Sequence, residues 1–318
     1  MSYAQNNLIE ATDYNTLVGG SPGTTANRLN TVWAVGGGNA GYGQTALANV
    51  AVGDTVTATQ WANLVNTTAN AGSHQGSTLS SVTAPSSGGT ITYLSAIPTN
   101  LTTIYTNRLN AAAQGSTTAN TATRGTTWSA ALTFTHTVTF ASGDAARYFF
   151  NAGGQIKVTM SHPSGTGINS LFNSLATACG TIVQSAPSSG SVTIASTSYN
   201  GITKVGGSGS PGTLSTNSGY YAMTTSNVTV FSQTATTGPA GYLSSNISVL
   251  AKSNGTQGSN SDAGSVITIY TVWDEVPDGL TASSGSAVTV TLTPPATTYL
   301  PQGASWGTPT VSGSVTGS

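Results

Sequence analysis

Hydrophobic residues recur every three or four positions over residues 1–113. This spacing places them on one face of an α-helix, and segments rich in Gly and Pro separate the groups. The pattern predicts four short helices, the second over residues 25–35 and the fourth over residues 99–113, and Thr57 or Thr59 can cap the third. The apolar residues of the predicted faces are Tyr14, Leu17 and Val18; Leu29, Val32 and Trp33; Trp61, Leu64 and Val65; and Leu101, Ile104, Tyr105 and Leu109.

The spacing changes to every second position from residue 131 onward. The segment LTFTHTVTF at residues 132–140 alternates larger side chains with threonine, which is typical of a strand with one buried face. Residues 145–160 are predicted to form the returning strand, with a bulge at the Gly pair 153–154, and residues 167–177 a helix. Seven more short alternating segments follow. The predicted fold is α+β and predominantly β, a small N-terminal helical module followed by an antiparallel β-sandwich-like domain.

These changes of pattern divide the chain into five parts. Residues 1–76 are predicted to form a docking module of short helices. Residues 77–98 are rich in Ser, Gly and Pro and are predicted to be a linker or surface loop. Residues 99–128 are expected to hold the fourth helix and a connection, and residues 129–300 the antiparallel β domain. Residues 301–318 are expected to form an extended C-terminal tail.

The chain is nearly uncharged. It contains 7 Lys plus Arg and 8 Asp plus Glu, so charged residues make up 5% of the sequence and the net charge is −1. A typical soluble domain has about 25% charged residues. Intrinsic disorder does not fit, because 37% of the residues are hydrophobic and 5 Trp, 12 Tyr and 6 Phe can fill a core. Since the cores of protein interfaces are depleted in charge, we expect a homo-oligomer within a larger assembly.

Two strings match catalytic or cofactor-binding motifs, G-x-S-x-G at residues 19–23 and G-x-G-x-x-G at residues 36–41. Neither follows a predicted strand, as these motifs require, so both are interpreted as loops. The three His residues lie far apart, and the single Cys179 excludes an intramolecular disulfide and a Cys/His zinc site. The Lys and Arg residues are scattered, so no basic patch is available to bind nucleic acid. We therefore expect a non-enzymatic protein with no cofactor and no nucleic-acid partner. Asp274 and Asp278 flank a Pro-containing turn, which would be either a weak cation site with oxygen ligands or simply a solvated turn.

The chain also lacks the features of membrane or exported proteins. No segment has the roughly 18 to 20 consecutive apolar residues that a membrane-spanning helix needs. The first 17 residues have neither the basic start nor the apolar run of a signal peptide. The sequence therefore predicts a protein that is made and assembled in a cytoplasm and has no membrane partner.

Two groups of large side chains are predicted to mediate packing or assembly. In the helical module, residues 11–17 and 57–64 each place an aromatic residue three positions before a Leu. In the β domain, RYFF at residues 147–150 is the densest run of large side chains, and we expect it to lie in a strand buried on both faces or inserted in a subunit contact. The predicted assembly or packing residues are Tyr14, Leu17, Trp33, Trp61, Leu64, Arg147, Tyr148, Phe149 and Phe150.

Several strings in the chain resemble structural proteins of tailed bacteriophages, particularly large contractile-tailed phages and those of marine cyanobacteria. They are ATDYNTL at 11–17, GYGQ at 41–44, TATQWANL at 57–64, HQG at 74–76 and ARYFFNAGGQIKV at 146–158. The resemblance implies a structural protein of a virion and does not specify its location in the particle. The function that we favour is a subunit of a tail appendage, fibre or fibre adaptor, assembled in the host cytoplasm, with other virion proteins and a host surface as partners.

Other functions fit the same sequence. A capsid decoration protein, a neck protein or an extracellular filament subunit would differ from a tail part in copy number per particle. A tail-borne polysaccharide depolymerase would need two carboxylates that face one glycosidic bond. Asp274 and Glu275 are neighbours in a predicted strand and would point to opposite faces, so this function is the least favoured.

Overall fold

A computed structural model describes residues 9–19, 28–87, 95–216, 218–257 and 262–318. Parts of the predicted docking module, residues 1–8 and 20–27, and part of the predicted linker, residues 88–94, lie outside the described residues. The first three residues of the predicted second helix therefore lie outside them as well.

The described N-terminal part contains four helices, α1 (Ala11–Val18), α2 (Leu29–Trp33), α3 (Ala58–Gln75) and α4 (Ala96–Thr106). The predicted cap of α3 is confirmed. The Thr57 hydroxyl accepts from the Gln60 N–H at 3.2 Å, and the Gln60 side chain accepts from the Thr57 N–H at 2.8 Å. The predicted fourth helix is too long at its C-terminal end, because a turn follows α4 in which the Asn110 N–H donates to the Asn107 carbonyl at 2.8 Å.

The remainder of the described chain is mostly strand. It also contains two more helices, α5 (Gly143–Asn151) and α6 (Ile168–Cys179), which precede and follow the third strand along the chain. The strands are β1 (Thr118–Thr123), β2 (Ala131–Thr139), β3 (Gln155–Ser161), β4 (Thr181–Gln184), β5 (Val192–Ile194), β6 (Thr197–Tyr199), β7 (Ile202–Val205), β8 (Thr213–Leu214), β9 (Val228–Thr234), β10 (Asn246–Ser253), β11 (Val266–Asp274), β12 (Ala287–Thr293) and β13 (Thr310–Gly317).

These strands form two antiparallel sheets and a small hairpin. The five-stranded sheet has the order β1-β12-β3-β4-β7, the six-stranded sheet has the order β13-β2-β11-β10-β9-β8, and β5 pairs with β6. The alternation predicted for residues 132–140 is present in β2, where every second side chain is buried. The predicted α+β and predominantly β fold is therefore confirmed.

One hydrophobic cluster joins the helices and both sheets. It contains Trp61 of α3, Val290 of the five-stranded sheet and Ile269 of the six-stranded sheet. Helix α6 packs its buried face against the sheets, where the Phe172 ring contacts those of Trp128 and Trp273, with centroids 4.7 and 5.9 Å away. The helical part and the β part thus share a continuous core in the described chain.

The prediction of a strand over residues 145–160 was wrong in its first half. Arg147, Tyr148, Phe149 and Phe150 lie in helix α5, and the strand β3 begins only at Gln155. The helix forms because Ser142 caps it, with its hydroxyl accepting from the Ala145 N–H at 3.1 Å. The Gly pair predicted to be a bulge instead connects α5 to β3.

Three strands of the observed sheets were not predicted, namely the two-residue β8, which pairs with β9, and the longer strands β1 and β13. β1 lies within residues 99–128, where only a helix and a connection were expected, and it pairs with β12 over all six of its residues. β13 lies in the predicted extended tail and pairs with β2 from Thr310 to Gly317. Both strands consist of small residues, so their sequences carry little hydrophobic periodicity.

Candidate functional site

The predicted assembly residues of the helical module lie in the core of the chain itself. Their side chains are at most 2% exposed. The Tyr14 and Trp61 rings, from the two similar segments, lie near each other with centroids 6.4 Å apart. The aromatic and Leu positions of these segments therefore pack helices of one chain together. The residues concerned are Tyr14, Leu17, Trp33, Trp61 and Leu64.

The RYFF segment places a fully buried arginine in the centre of the molecule. Arg147 is 0% exposed, although arginine is rarely buried without charged partners. Its guanidinium lies 3.2 Å from the Asp144 carboxylate and 3.6 Å from that of Asp262. It also donates to the Ala40 carbonyl at 2.8 Å. Phe149 and Phe150 of the same helix are buried, whereas Tyr148 is half-buried with its ring 4.8 Å from the guanidinium.

The segment that Arg147 holds is the glycine-rich loop before Tyr42. Asn151 of α5 donates to the Ala40 carbonyl at 2.9 Å and to the Gly41 carbonyl at 3.1 Å. The Tyr221 hydroxyl lies within hydrogen-bonding distance of two acceptors, the Gly38 carbonyl at 3.0 Å and the Asn151 side-chain oxygen, and shares its single proton between them. The backbone carbonyls of the loop are therefore held by side chains that lie more than 100 residues away in sequence.

The HQG segment joins the same cluster from α3. Gln75 donates to the Tyr42 hydroxyl at 2.8 Å, and the Tyr42 hydroxyl donates to the Arg108 carbonyl at 2.9 Å. The His74 ring bonds the Ala152 carbonyl at 3.0 Å and packs edge-on against Tyr42, with ring centroids 5.0 Å apart. Three strings that carried the phage resemblance, at residues 41–44, 74–76 and 146–158, thus meet in three dimensions. We call this cluster the motif hub; it comprises residues 38–44, 74–75 and 147–152 with Tyr221 and Asp262.

The motif hub also holds the C-terminal part of the chain. Gln44 donates to the Gly303 carbonyl at 3.2 Å and accepts from the Gln302 N–H at 3.1 Å. The Ser305 hydroxyl donates to the Tyr42 carbonyl. Burial raises the pKa of Tyr42 and of Tyr221 far above their usual range. These hydroxyls therefore stay protonated and act as hydrogen-bonding groups within the motif hub.

The close packing of the motif hub predicts a large difference between two glycines of its loop. Gly41 has φ +94°, and an added Cβ would lie 2.3 Å from the Val35 carbonyl oxygen. Gly37 has no atom within 4 Å of such a Cβ. We expect Gly41→Ala to lower the free energy of unfolding by more than about 1 kcal/mol, and Gly37→Ala to change it by less than about 0.5 kcal/mol. Urea denaturation of both variants measures this, and equal midpoints would contradict the observed loop geometry.

The buried histidines predict a loss of stability in mild acid. Burial lowers the pKa of His74 to about 4, and the bond to the Ala152 carbonyl opposes this only in part. Burial also lowers the pKa of His136 and of His162. Below an unfolded pKa of about 6.5 the unfolded chain binds more protons than the folded chain, so stability falls as the pH drops from about 6.5 to 4. At about 1.4 kcal/mol per pKa unit, His74 alone accounts for roughly 3 kcal/mol.

Unfolding free energies at pH 7 and pH 4.5 test this dependence, with His74→Gln as the variant that removes the titrating group. The variant is expected to be less stable at pH 7 but to lose less stability on acidification. Burial raises the pKa of Glu275, which has the opposite sign and stabilises the fold as the pH falls. A wild-type free energy that is unchanged between the two pH values would contradict the prediction.

The candidate cation residues do not form a cluster of ligands. Asp274 ends β11 with its carboxylate 3.5 Å from the Asn246 amide nitrogen, and Asp278 is exposed. Glu275 is 1% exposed and accepts from the Leu280 N–H at 2.8 Å. Among the described residues, no three His, Cys, Asp or Glu side chains come together as a metal site. Of the two neighbouring acids, Glu275 is therefore buried and Asp274 is partly buried.

Two surface cavities of the described chain have neutral linings. One, of about 310 Å³, lies between α3, α4 and residues 77–82 and is lined by Val65, Leu79 and Ile97 with several Ser and Thr residues. The other, of about 250 Å³, is lined by Phe149, Trp306 and a Pro pair at residues 294–295. Neither lining includes a charged or His side chain. These two cavities hold no pair of groups suited to acid–base chemistry.

Four strands of the six-stranded sheet, β13, β2, β11 and β10, together present a broad and nearly neutral outward face. Strand registers place its side chains in rows, for example Ser314, Thr135, Tyr270 and Leu250 across four strands. Lys252 and Asp274 are the charged members of this face, and the Lys252 ammonium lies 5.6 Å from the centre of the Tyr270 ring. We call it the neutral outer face; it comprises Thr310, Ser312, Ser314, Thr316, Thr133, Thr135, Thr137, Thr139, Val266, Thr268, Tyr270, Val272, Asp274, Asn246, Ser248, Leu250 and Lys252.

Comparison of the chain with models of protein families, with curated proteins and with solved structures found no match. No helix within the described ranges is both long enough and apolar enough to cross a membrane. The phage resemblance stays a prediction. Sequence reasoning identified Arg147 and the string that contains Asn151. It did not predict the contacts of Asn151, Tyr221 and Asp262, which are made across the fold.

Proposed function

We propose that this chain is a non-enzymatic structural subunit of a virion, in a tail appendage, fibre or fibre adaptor of a tailed bacteriophage. It is assembled in the host cytoplasm and contacts copies of itself and other virion proteins. The proposal combines the resemblance of five sequence strings with the chemistry of the surface. Three of those strings form the motif hub, which ties the N-terminal loop, the central helix and the C-terminal segment to one another.

The observation that carries a structural role is the neutral outer face. Its strands expose Ser, Thr and apolar side chains and only two charges. Interfaces are depleted in charged residues at their centres, and burying uncharged hydroxyls that find partners costs less free energy than burying charges. The face is therefore suited to contact other subunits. Because few charges are present to be screened, such contacts depend little on salt.

The direct test is the amount and position of this chain in purified particles of the virus that encodes it. Quantitative mass spectrometry, calibrated against a known capsid protein, gives its copy number, and electron cryomicroscopy locates its density. A small multiple of three or six at the tail supports the proposal. Hundreds of copies would assign it to a capsid lattice or a filament, and its absence from the particle would overturn a virion role.

A further inference from the structure

The six-stranded sheet ends in an open edge. β13 is the last strand in its order, and no described strand is hydrogen-bonded to its outer side. Its residues are mostly exposed. Natural proteins usually protect such an edge with charged residues, proline or a bulge, because it can pair with another chain. The segment TVSGSVTG has none of these, and its eight residues pair with β2 without interruption.

The free hydrogen-bonding groups of β13 can be assigned from its neighbours. The Phe140 N–H donates to the Ser265 carbonyl and the Glu275 N–H to the Ala130 carbonyl, so even-numbered residues of β2 bond to β11. Residues of an antiparallel strand alternate between its two neighbours. Odd-numbered residues of β2 therefore bond to β13, where their partners are even-numbered. The N–H and C=O groups of Val311, Gly313 and Val315 consequently face the open edge.

The sequence of this edge is a palindrome. Residues 310–316 read T-V-S-G-S-V-T in both directions, with Gly313 at the centre. An antiparallel pair centred on Gly313 places Gly opposite Gly, Val311 opposite Val315 and Ser312 opposite Ser314 of a second copy. The pairs of odd-numbered residues are then the hydrogen-bonded ones, which matches the free groups of the edge. A two-fold contact needs such self-complementarity, because the same surface serves both subunits.

We propose that a second copy of this chain binds at β13, strand against antiparallel strand, with the two-fold axis at Gly313. The two six-stranded sheets then form one continuous sheet, and their neutral outer faces become one surface. Gly313 also has a separate reason to be glycine, since an added Cβ would lie 2.5 Å from the Asn120 side-chain oxygen and 2.6 Å from the His136 ring. The proposal goes beyond the virion role, because it depends only on the geometry of β13.

Charge substitutions at the outward serines test both the contact and its register. In the proposed pair, Ser312 faces Ser314 of the second copy across a non-hydrogen-bonded position, with Cα atoms about 4.5 Å apart. Ser312→Lys with Ser314→Lys puts like charges opposite each other, whereas Ser312→Lys with Ser314→Glu puts opposite charges there. We expect sedimentation to give an even multiple of the 31.6 kDa chain mass for the wild type, half that mass for the double lysine variant, and the wild-type mass for the Lys/Glu variant.

Circular dichroism and urea midpoints of both variants check that the exposed substitutions leave the fold intact. A monomeric wild type at the highest attainable concentration would overturn the proposal. So would an undiminished mass for the double lysine variant or a halved mass for the Lys/Glu variant, because either result is incompatible with the stated register.

Disulfide trapping tests the register independently. The native thiol Cys179 is buried, and burial raises its pKa to about 12, so it does not interfere. Ser312→Cys and Ser314→Cys chains, mixed and oxidised, are expected to form a cross-linked heterodimer. Neither variant alone should cross-link efficiently, because residue 312 of one copy and residue 312 of the other are diagonal neighbours across the strand pair, about 7–8 Å apart. Efficient cross-linking of either variant with itself would overturn the two-fold axis at Gly313.

The two proposals fail separately. A β13 dimer in solution, together with absence of the chain from purified particles, would overturn the virion role and leave the interface standing. If the chain is present in the particle but the double lysine variant keeps the wild-type mass, the interface is overturned and the virion role stands.

Discussion

Replacing Arg147 with Met is expected to lower the free energy of unfolding by about 3–5 kcal/mol, which is typical when one member of a buried ion pair is removed. The change leaves the Asp262 carboxylate, whose side chain is 0% exposed, without its nearby guanidinium. It also removes the hydrogen bond to the Ala40 carbonyl. Urea denaturation followed by tryptophan fluorescence measures the loss, at one fixed protein concentration because self-association changes apparent stability.

The matched control is Lys252→Met, which removes a half-exposed cation from the neutral outer face and is expected to change stability by less than about 0.5 kcal/mol. Arg147→Met leaves the buried Asp262 carboxylate without its cation. Adding Asp262→Leu removes that carboxylate and should recover part of the lost stability. An Arg147→Met variant as stable as Lys252→Met would show that the motif hub does not hold the fold together.

Phe172→Ala is expected to destabilise the fold by a similar amount, about 3–5 kcal/mol, since it opens a cavity among rigid aromatic neighbours. Phe172 is 0% exposed and stacks on Trp273 at an interplanar angle of 26°. It also contacts Trp128 and His162. These large rings cannot collapse into the vacated volume without leaving their rotamers, so most of the cavity should remain. Thermal and urea unfolding both measure the effect.

Two further variants separate cavity formation from a general effect of truncation. Tyr299→Ala removes a ring that is 42% exposed and should cost less than about 0.5 kcal/mol. Phe172→Leu leaves a smaller void than Phe172→Ala and should fall between the alanine variant and the wild type. If Phe172→Ala and Tyr299→Ala unfold at the same urea concentration, α6 does not fill the core between the sheets.

The strands with regular alternation were predictable because burial follows the period of the backbone. β2 shows this most clearly, with four buried side chains at every second position. Helix α5 was not predicted because Tyr148, Phe149 and Phe150 favour strands by intrinsic propensity, while Gly143 and Asp144 after Ser142 also fit a turn. Capping by Ser142 and the contacts of Arg147 decide in favour of the helix.

The motif hub could be predicted only as separate strings. Several of its bonds end on backbone carbonyls, such as that of Ala40, 111 residues away from the Asn151 side chain that binds it. Because every residue has a backbone carbonyl, the type of residue does not indicate which carbonyl accepts such a bond, and these contacts cannot be predicted from the sequence. β13 escaped prediction for a different reason, because Ser, Thr and Gly carry little hydrophobic signal and the strand is defined by its pairing with β2.

The measurement that tests the central claim most directly is the mass of the full chain in solution as a function of salt. The account states that this nearly uncharged protein assembles through neutral surfaces. The screening length of salt falls from about 10 Å at 0.1 M to about 3 Å at 1 M. We predict a sedimentation mass that is a multiple of the 31.6 kDa chain and is the same at both salt concentrations. A persistent monomer, or an oligomer that dissociates at 1 M salt, would contradict the account.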